Sequence, residues 1–387
     1  MVYFDHNATT PLPKAARAAW LQAADEAWHN PSSPYRASAR VRNLLEGSRG
    51  RLAEFLGCRA DEVVFNSGAT EANNALFTHL SRRSDAGRGV LLSPVEHPCV
   101  LEAASFSFSG RVTFLNVDGD GVVDPEDLRA KLRETSPLLV SVQAANNETG
   151  VIQPFQALAK ICREHGVWFH CDAAQWFGKL PGSRLQGCDF VTGSAHKFGG
   201  PKGTGFLRVP SAADDFRGQL GGEQEHGHRA GTENYPSVAA MLAALEEREA
   251  GGYADLAERA SRRNRFESRL LKELPGAKVV AMERERLWNT VSILPPRYEN
   301  HGWVMKLDRE GFAVSTGSAC ASGSQSPSHV LAAMGYTAEE ARRVVRVSAG
   351  PETREEDWLG LAQAFGRVWR RWEAKGTDSS LTEVISI

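Results

Sequence analysis

Short apolar segments rich in β-branched residues alternate with helix-like segments between residues 62 and 189. In one of the helix-like segments, Asp124 and Pro125 form a typical N-cap and first helical position. This alternation predicts βαβ units and a mainly parallel sheet, that is, an α/β fold. Ligands of such sheets bind at the carboxyl ends of the strands, so the loops that follow the strands hold the first candidates for a site. The predicted strands are 63–65, 89–93, 112–117, 138–142, 167–170 and 190–191.

A chain of 387 residues is long enough for two domains. A charged helical stretch at 256–273 leads into two further predicted strands, at 288–293 and 343–348. Residues 1–13 are too few to fold alone, and we expect them to pair with this later unit. The sequence therefore predicts a large domain at 14–254 and a small domain made of 1–13 and 255–387.

The composition argues against several classes of partner. A formal net charge of -2 gives no global positive field, so we expect no direct nucleic-acid partner and no anionic membrane surface. No stretch approaches the ~20 apolar residues of a membrane helix, and the first ten residues hold no apolar run. We expect a cytoplasmic protein whose six scattered cysteines are thiols.

The segment 66–74 follows a predicted strand and opens a predicted helix. Gly68 permits a close backbone approach, and the free N–H groups of the helix start, with the Thr70 hydroxyl, suit one phosphate group. Plain helix capping explains the same residues. On this segment alone, both readings stay open.

Two further strands end in residues that suit a cofactor. Asp172 follows the strand at 167–170, where its carboxylate could face a protonated ring nitrogen or serve as an N-cap, and Gln175 lies on the emerging loop. Lys197 follows the next strand in a glycine-rich turn, where an amine can form a Schiff base, although most lysines are merely solvated. Lys197, Asp172 and Thr70 all lie on loops leaving the same edge of one sheet, so a single cofactor could contact all three.

His97 also follows a predicted strand. It could stack on a flat ring and act as an acid or base near neutral pH, or it could be an ordinary loop histidine.

Cys320 lies in a run of small residues at about 315–326. Such a run cannot pack, so we expect a mobile loop with an exposed thiol, which is unusual because free cysteine is among the most buried residue types. A reactive, moving nucleophile is the better reading, and a flexible linker is the alternative. Zinc at Cys162, His165, His170 and Cys171 is disfavoured because adjacent strand residues face opposite sides, and we predict no metal.

Taken together, these segments resemble the cysteine desulfurase family (NifS-like), within the class V aminotransferase type of fold-type I pyridoxal-phosphate enzymes. The similarity runs nearly from end to end, in the family's order. The segments that carry it are 3–10, 67–74, 96–97, 146–150, 172–175, 194–197, 229–232, 317–320 and 345–348.

The resemblance implies a mainly parallel seven-stranded sheet flanked by helices, a smaller α/β domain, and the cofactor pyridoxal 5'-phosphate. It implies a homodimer, L-cysteine as substrate, and a sulfur-acceptor protein in iron–sulfur cluster assembly or tRNA thiolation. The resemblance also implies the role of each site residue. Around the cofactor ring, Lys197 is the Schiff-base lysine, Asp172 contacts the ring nitrogen, Gln175 contacts the ring hydroxyl and His97 stacks on the ring. The phosphate is held by Ala69, Thr70, Ser194 and His196, with Thr232 from a partner subunit, the substrate carboxylate is held by Asn147 and Arg346, and the sulfur acceptor is Cys320.

Two rival functions remain. A selenocysteine lyase or a transaminase would need no mobile cysteine, and a non-catalytic scaffold protein would not need Lys197, Asp172 and His97 together. Tyr35 stands where the family usually has histidine, and the segment after Arg346 lacks a second arginine that is often seen there. Neither departure touches the residues that carry the chemistry.

Overall fold

The computed structural model describes residues 1–83, 87–250, 253–317 and 327–376. Within these ranges the strands are β1 (Val2–Tyr3), β2 (Val63–Asn66), β3 (Val90–Leu92), β4 (Val112–Phe114), β5 (Leu139–Ser141), β6 (Trp168–Asp172), β7 (Phe190–Ser194), β8 (Gly205–Arg208), β9 (Lys278–Val279), β10 (Thr290–Leu294), β11 (Phe312–Ala313) and β12 (Val345–Ser348). The α-helices are α1 (Lys14–Glu26), α2 (Arg36–Leu56), α3 (Ala69–Arg83), α4 (Pro98–Ser107), α5 (Pro125–Thr135), α6 (Phe155–Glu164), α7 (Tyr235–Ala250), α8 (Leu256–Glu273), α9 (Asn300–Arg309), α10 (His329–Ala333), α11 (Ala338–Arg343) and α12 (Glu355–Gly376).

A seven-stranded sheet forms the centre of the fold, in the order β2-β8-β7-β6-β5-β3-β4. Strands β7, β6, β5, β3 and β4 pair in parallel, whereas β8 runs antiparallel to both of its neighbours. The predicted α/β class and the mainly parallel seven-stranded sheet are therefore confirmed. The sequence did not predict β8, which begins at Gly205 in a glycine-rich stretch that reads as a turn.

Helices cover both faces of this sheet. On one face α3 and α4 pack through residues such as Leu76 and Phe77, and on the other α2, α6 and α7 pack around Trp176 and Phe177. Parallel sheets need both faces covered, and each large apolar side chain buried here contributes about 1.5–3 kcal/mol. None of the described helices is long and apolar enough to cross a membrane.

A second group of elements surrounds the antiparallel sheet β12-β10-β9, with α8, α9 and α12 packed together. Its centre is a set of buried aromatic residues, called here the aromatic cluster: Phe4, Trp303, Trp358, Phe365 and Trp369. Trp303 is fully buried, and its ring centroid lies 5.4 Å from that of Phe365.

The N-terminal segment connects the two regions. Strand β1 pairs in parallel with β11, and Asp5 bridges to Ser348 of β12. A few residues later the Thr10 N–H donates to the His196 carbonyl beside the seven-stranded sheet, at 2.8 Å. The division of the chain near residue 254 into two domains stays a prediction.

Candidate active site

A cavity of about 440 Å³ opens at the edge of the seven-stranded sheet where β2, β6 and β7 end. Asn66, Asp172 and Ser194 are the last residues of those three strands. Its lining includes nine of the predicted site residues: Ala69, Thr70, His97, Asn147, Asp172, Gln175, Ser194, His196 and Lys197. The expected convergence on one sheet edge is therefore observed.

The start of α3 forms one wall of the cavity. Gly68 has φ of 136°, a backbone conformation that L side chains rarely adopt, and it leads directly into Ala69 and Thr70. The Gly68 N–H donates to Asn66 Oδ1 at 2.9 Å, which holds the turn. The first N–H groups of a helix have no acceptor within the helix, and the helix dipole favours an anion there. This wall suits a phosphate group.

Asp172 is buried at the end of β6, with both carboxylate oxygens engaged. Oδ1 accepts the Ala174 N–H at 2.9 Å, and Oδ2 accepts the Asn73 side-chain N–H at 3.0 Å. An ionised carboxylate only accepts hydrogen bonds, so Asn73 must present its amide nitrogen to Asp172. The carboxylate is thereby held in one orientation beside the cavity.

Hydrogen bonds connect the Asn73 side chain to further buried groups behind it. Asn73 Oδ1 accepts from the Thr192 hydroxyl at 2.9 Å, and His170 Nε2 lies 3.0 Å from the same hydroxyl oxygen. Because the hydroxyl hydrogen is used on Asn73, His170 donates to it, and His170 Nδ1 accepts from Ser141 Oγ at 2.8 Å. Burial lowers the pKa of His170 to about 4, which keeps this ring neutral. His170 thus belongs to a hydrogen-bonded chain behind Asp172.

Lys197 lies in a short 3-10 turn directly after β7. Its Nζ donates to the main-chain carbonyls of Asn7 at 2.8 Å and Ala8 at 3.0 Å, both in the N-terminal segment. The Thr10 hydroxyl in turn donates to the Lys197 carbonyl at 3.0 Å. The N-terminal segment therefore covers the lysine, a contact that sequence reasoning missed because the partners lie some 190 residues apart.

His97 is the N-cap of α4 and lines the cavity. Its Nδ1 accepts the Cys99 N–H at 3.2 Å and lies 3.0 Å from Cys99 Sγ, so the neutral ring carries its hydrogen on Nε2. Burial lowers the pKa of His97, against the raising effect of Asp172. Cys99, which the sequence did not single out, also lines the cavity, and burial raises the pKa of its thiol to about 12.

His196 is held toward the cavity by the N-terminal segment. Its Nδ1 lies 3.2 Å from Thr9 Oγ1, and burial, together with the nearby Lys197, lowers the pKa of its ring to about 4. A neutral imidazole can donate to an anion without carrying a charge itself.

Arg346 lies behind the cavity rather than in its lining. Its Nη1 donates to the carbonyls of Asn147 at 3.0 Å and Gly317 at 2.9 Å, and its Nη2 contacts Asp5 Oδ1 at 2.7 Å. The Nε atom is buried and has no hydrogen-bond partner among the described residues. The guanidinium is therefore close to Asn147, and its Nε–H is unengaged among the described residues. Its contact with a substrate carboxylate stays a prediction.

Thr232 and Cys320 are the two remaining predicted site residues. Thr232 is exposed and does not contribute to the lining. Cys320 lies outside the described residues. The described residues on either side of it are anchored, because Gly317 contacts Arg346 and the Ser328 hydroxyl donates to Glu148 Oε2 at 2.7 Å.

The fold and this cavity can be compared with those of known proteins. The family model for aminotransferase class-V matches residues 2–359. The chain therefore belongs to the class-V aminotransferases, a family of enzymes that depend on pyridoxal 5'-phosphate.

The relatives narrow that class. A cysteine desulfurase IscS from Dictyoglomus turgidum is 36% identical over 360 residues, which is 92% of this chain and 91% of that protein. A cysteine desulfurase from Cereibacter sphaeroides is 37% identical over 90% of both chains. A solved NifS-like protein superposes with a TM-score of 0.85 at 31% identity, over 96% of this chain and 99% of that one. Within its class, the chain belongs to the cysteine desulfurase family.

The described cavity fits the family's cofactor chemically. It offers a lysine amine, a carboxylate held by Asn73, and a helix start that suits phosphate, within a volume that small-molecule sites commonly have. Pyridoxal 5'-phosphate needs these three partners at its aldehyde, its ring nitrogen and its phosphate.

Proposed function

We propose that this chain transfers the sulfur of L-cysteine to its own Cys320 and releases L-alanine. The observation that carries the proposal is the convergence of Lys197, Asp172 and the start of α3 on one cavity, in a member of the cysteine desulfurase family. Ala69, Thr70, Ser194 and His196 surround the phosphate in this proposal. Gln175 contacts the ring hydroxyl, and Asn147 and Arg346 hold the substrate carboxylate.

When bound, pyridoxal 5'-phosphate withdraws electrons from the α-carbon of the amino acid joined to it and so weakens the bond between Cβ and sulfur. Asp172 keeps a proton on the ring nitrogen, because its orientation is held by Asn73 and Ala174. Lys197 takes the proton from the substrate α-carbon with its amine. His97 stacks on the ring and offers the hydrogen on Nε2 for proton handling.

The sulfur step then forms one bond and breaks one. The Cys320 thiolate attacks the substrate sulfur, the Cβ–S bond breaks, and the electron pair of that bond passes to the carbon fragment. That fragment takes up protons and leaves as L-alanine. The balance is one L-cysteine and one thiol giving one L-alanine and one persulfide, with no outside oxidant.

A homodimer is part of the same proposal. Thr232 is exposed in this chain, so its predicted contact with the phosphate requires a partner subunit. Two exposed tryptophans support an interface near the N-terminal helices: Trp20 on α1 is 41% exposed and Trp28 just after it is 67% exposed. Large exposed aromatic residues are enriched at protein interfaces.

The proposal also divides the chain into two domains, at 14–254 and at 1–13 with 255–387. The separate apolar core around the aromatic cluster supports this division. We propose a cytoplasmic enzyme that hands its sulfur to an acceptor protein, in iron–sulfur cluster assembly or in tRNA thiolation.

Single-turnover production of alanine tests the role of Cys320. Cys320→Ser should still bind the cofactor and cysteine, because Lys197 and Asp172 are unchanged, yet it should make almost no alanine, since a serine hydroxyl does not ionise near neutral pH. Mass spectrometry of the wild type should find the extra sulfur on Cys320. Alanine production by the serine variant at the wild-type rate, or sulfur on the cavity residue Cys99, would contradict the proposal and favour a selenocysteine-lyase-like reaction.

Borohydride reduction followed by peptide mapping tests the role of Lys197. The reduced protein should carry a pyridoxyl group on Lys197. The same group on the neighbouring cavity residue Lys202 would contradict the assignment.

A further inference from the structure

Lys179 is a buried lysine beside the cavity for which the proposed reaction has no role. Its Nζ donates to Gln175 Oε1 at 2.8 Å and to the Gln175 carbonyl at 3.2 Å. Its own carbonyl accepts the indole N–H of Trp288 at 3.1 Å, which holds this turn of the chain from the other side. An ammonium group in such a place is costly unless an anion balances it.

Among the described residues, the groups around Lys179 do not supply that anion. Both acceptors of its Nζ belong to Gln175, which is uncharged. Burial, together with Lys197 and Arg346, lowers the pKa of Lys179 to about 7. Two further described groups that interact with it are also basic: His6 in the N-terminal segment and His196 after β7.

The amide of Gln175 is oriented by partners on both sides. Lys179 donates to its oxygen, and its Nε2 donates to the main-chain carbonyl of Asn7 at 3.0 Å. A carbonyl only accepts, so the nitrogen must face Asn7 and the oxygen must face Lys179. The nitrogen carries a second N–H, and Gln175 lines the cavity.

We propose that Lys179 is a positioning residue that holds and polarises the Gln175 amide, so that Gln175 presents a donor to a negatively charged ring oxygen of the bound cofactor. This inference rests on the proposed function, since it requires the cofactor in this cavity. The ring oxygen and the phosphate supply the negative charge that Lys179 lacks, and an anion in the cavity favours the charged form of the lysine. Lys179 then acts on the cofactor through Gln175 without contacting it.

The visible spectrum of the loaded enzyme, titrated with pH, tests this inference without measuring turnover. Lys179→Met removes both the donor and the charge at similar length. A positive charge near the cofactor opposes protonation of its bond to Lys197, so the midpoint of the spectral change should rise by about one pH unit in this variant. Lys179→Gln keeps a donor without the charge and should shift the midpoint in the same direction by less.

Trp288→Phe is the matched control, because it removes the hydrogen bond to the Lys179 carbonyl and leaves the ammonium in place. It should lower the melting temperature without moving the spectral midpoint. A midpoint of Lys179→Met equal to that of the wild type would overturn the inference, as would an equal shift in Trp288→Phe. If Lys179→Met does not fold, an unchanged midpoint in Lys179→Gln overturns it. A wild type that stays colourless after reconstitution would instead overturn the proposed function.

Discussion

The cavity wall and the aromatic cluster are both buried, yet they differ in chemistry. Around the cavity the buried groups include Asp172, His170 and Lys179, and burial lowers the pKa values of the histidine and the lysine. In the aromatic cluster the buried groups are large apolar rings such as Trp303 and Phe365. Buried polar groups cost stability unless they are fully paired, whereas buried rings supply it. In this fold the aromatic cluster therefore supplies stability that offsets the cost of the buried polar groups around the cavity.

Removing Lys197 should give the largest effect of the variants proposed here, and it should lower activity without lowering stability. Lys197→Ala should lower cysteine turnover by about 10⁴-fold, because the amine that moves the proton is lost. Its melting temperature should change little, since the Asn7 and Ala8 carbonyls that accept from the lysine belong to a segment that other hydrogen bonds also hold. Lys202→Ala, a lysine of the same cavity, is the control and should keep most of its turnover. An equal loss in both variants would break the comparison.

Removing a ring from the aromatic cluster should lower stability and leave activity unchanged. Trp303→Ala should destabilise the protein by about 4 kcal/mol, because it leaves a cavity in a packed core. The variant should turn over cysteine normally well below its melting temperature. Met305→Ala on the same helix is the control, since that side chain is 53% exposed, and it should change stability by less than about 1 kcal/mol. Chemical denaturation measures both, and loss of turnover in folded Trp303→Ala would count against the separation of the two regions.

Arg346 tests the boundary between the regions, because it joins β12 to Asn147 of the cavity lining. Arg346→Ala should lower kcat/KM for cysteine about a hundredfold, from the loss of about 3 kcal/mol of carboxylate binding. The cofactor colour should remain. Arg343→Ala, which removes an arginine bonded to the Pro296 carbonyl, should leave kcat/KM unchanged. Unchanged turnover in Arg346→Ala would remove this arginine from the substrate site.

The buried His170 makes the stability of the region around the cavity depend on pH. Its pKa is about 4 in the folded protein and near 6.5 when unfolded, so the unfolded chain binds the extra proton as the pH falls through this window. Its contribution to stability is therefore present above pH 6.5 and falls by about 1.5 kcal/mol between pH 6.5 and 5. His170→Gln should show a correspondingly shallower decline in denaturation experiments. The exposed His301→Gln should keep the wild-type slope.

A surface ion pair near the aromatic cluster should give the smallest effect. Arg367 contacts Glu310 at 2.7 Å and is 40% exposed. Arg367→Gln should cost less than about 1 kcal/mol, and the cost should shrink as salt screens the pair. A cost near that of Trp303→Ala would mean that charge pairs, rather than rings, hold this region together.

The cavity was predictable from the sequence because its chemical groups lie at, or a few residues after, the ends of strands, and parallel strands present their carboxyl ends together. It could not show that Asn7 and Ala8 receive Lys197, or that Arg346 is engaged by Asp5, because those contacts depend on how distant segments pair. Strand β8 was missed because the glycine-rich segment that leads into it resembles a turn. The burial of Lys179 was missed because a lone lysine reads as a solvated side chain. The residue types at the strand ends were therefore predictable from the sequence, whereas the contacts between distant segments were not.

The pairing of the N-terminal strand with β11 has a consequence for the order in which a new molecule matures. Val2 pairs with Phe312, so about 300 residues must be synthesised before the first strand finds its partner. At about 5–20 residues per second, a ribosome needs roughly 15–60 s for that length. Until then the segment that holds Asn7 and Ala8 against Lys197 lacks its anchor on β11, although the lysine itself emerged much earlier. The cover over Lys197 is therefore anchored through a non-local contact, of the kind that forms slowly during folding.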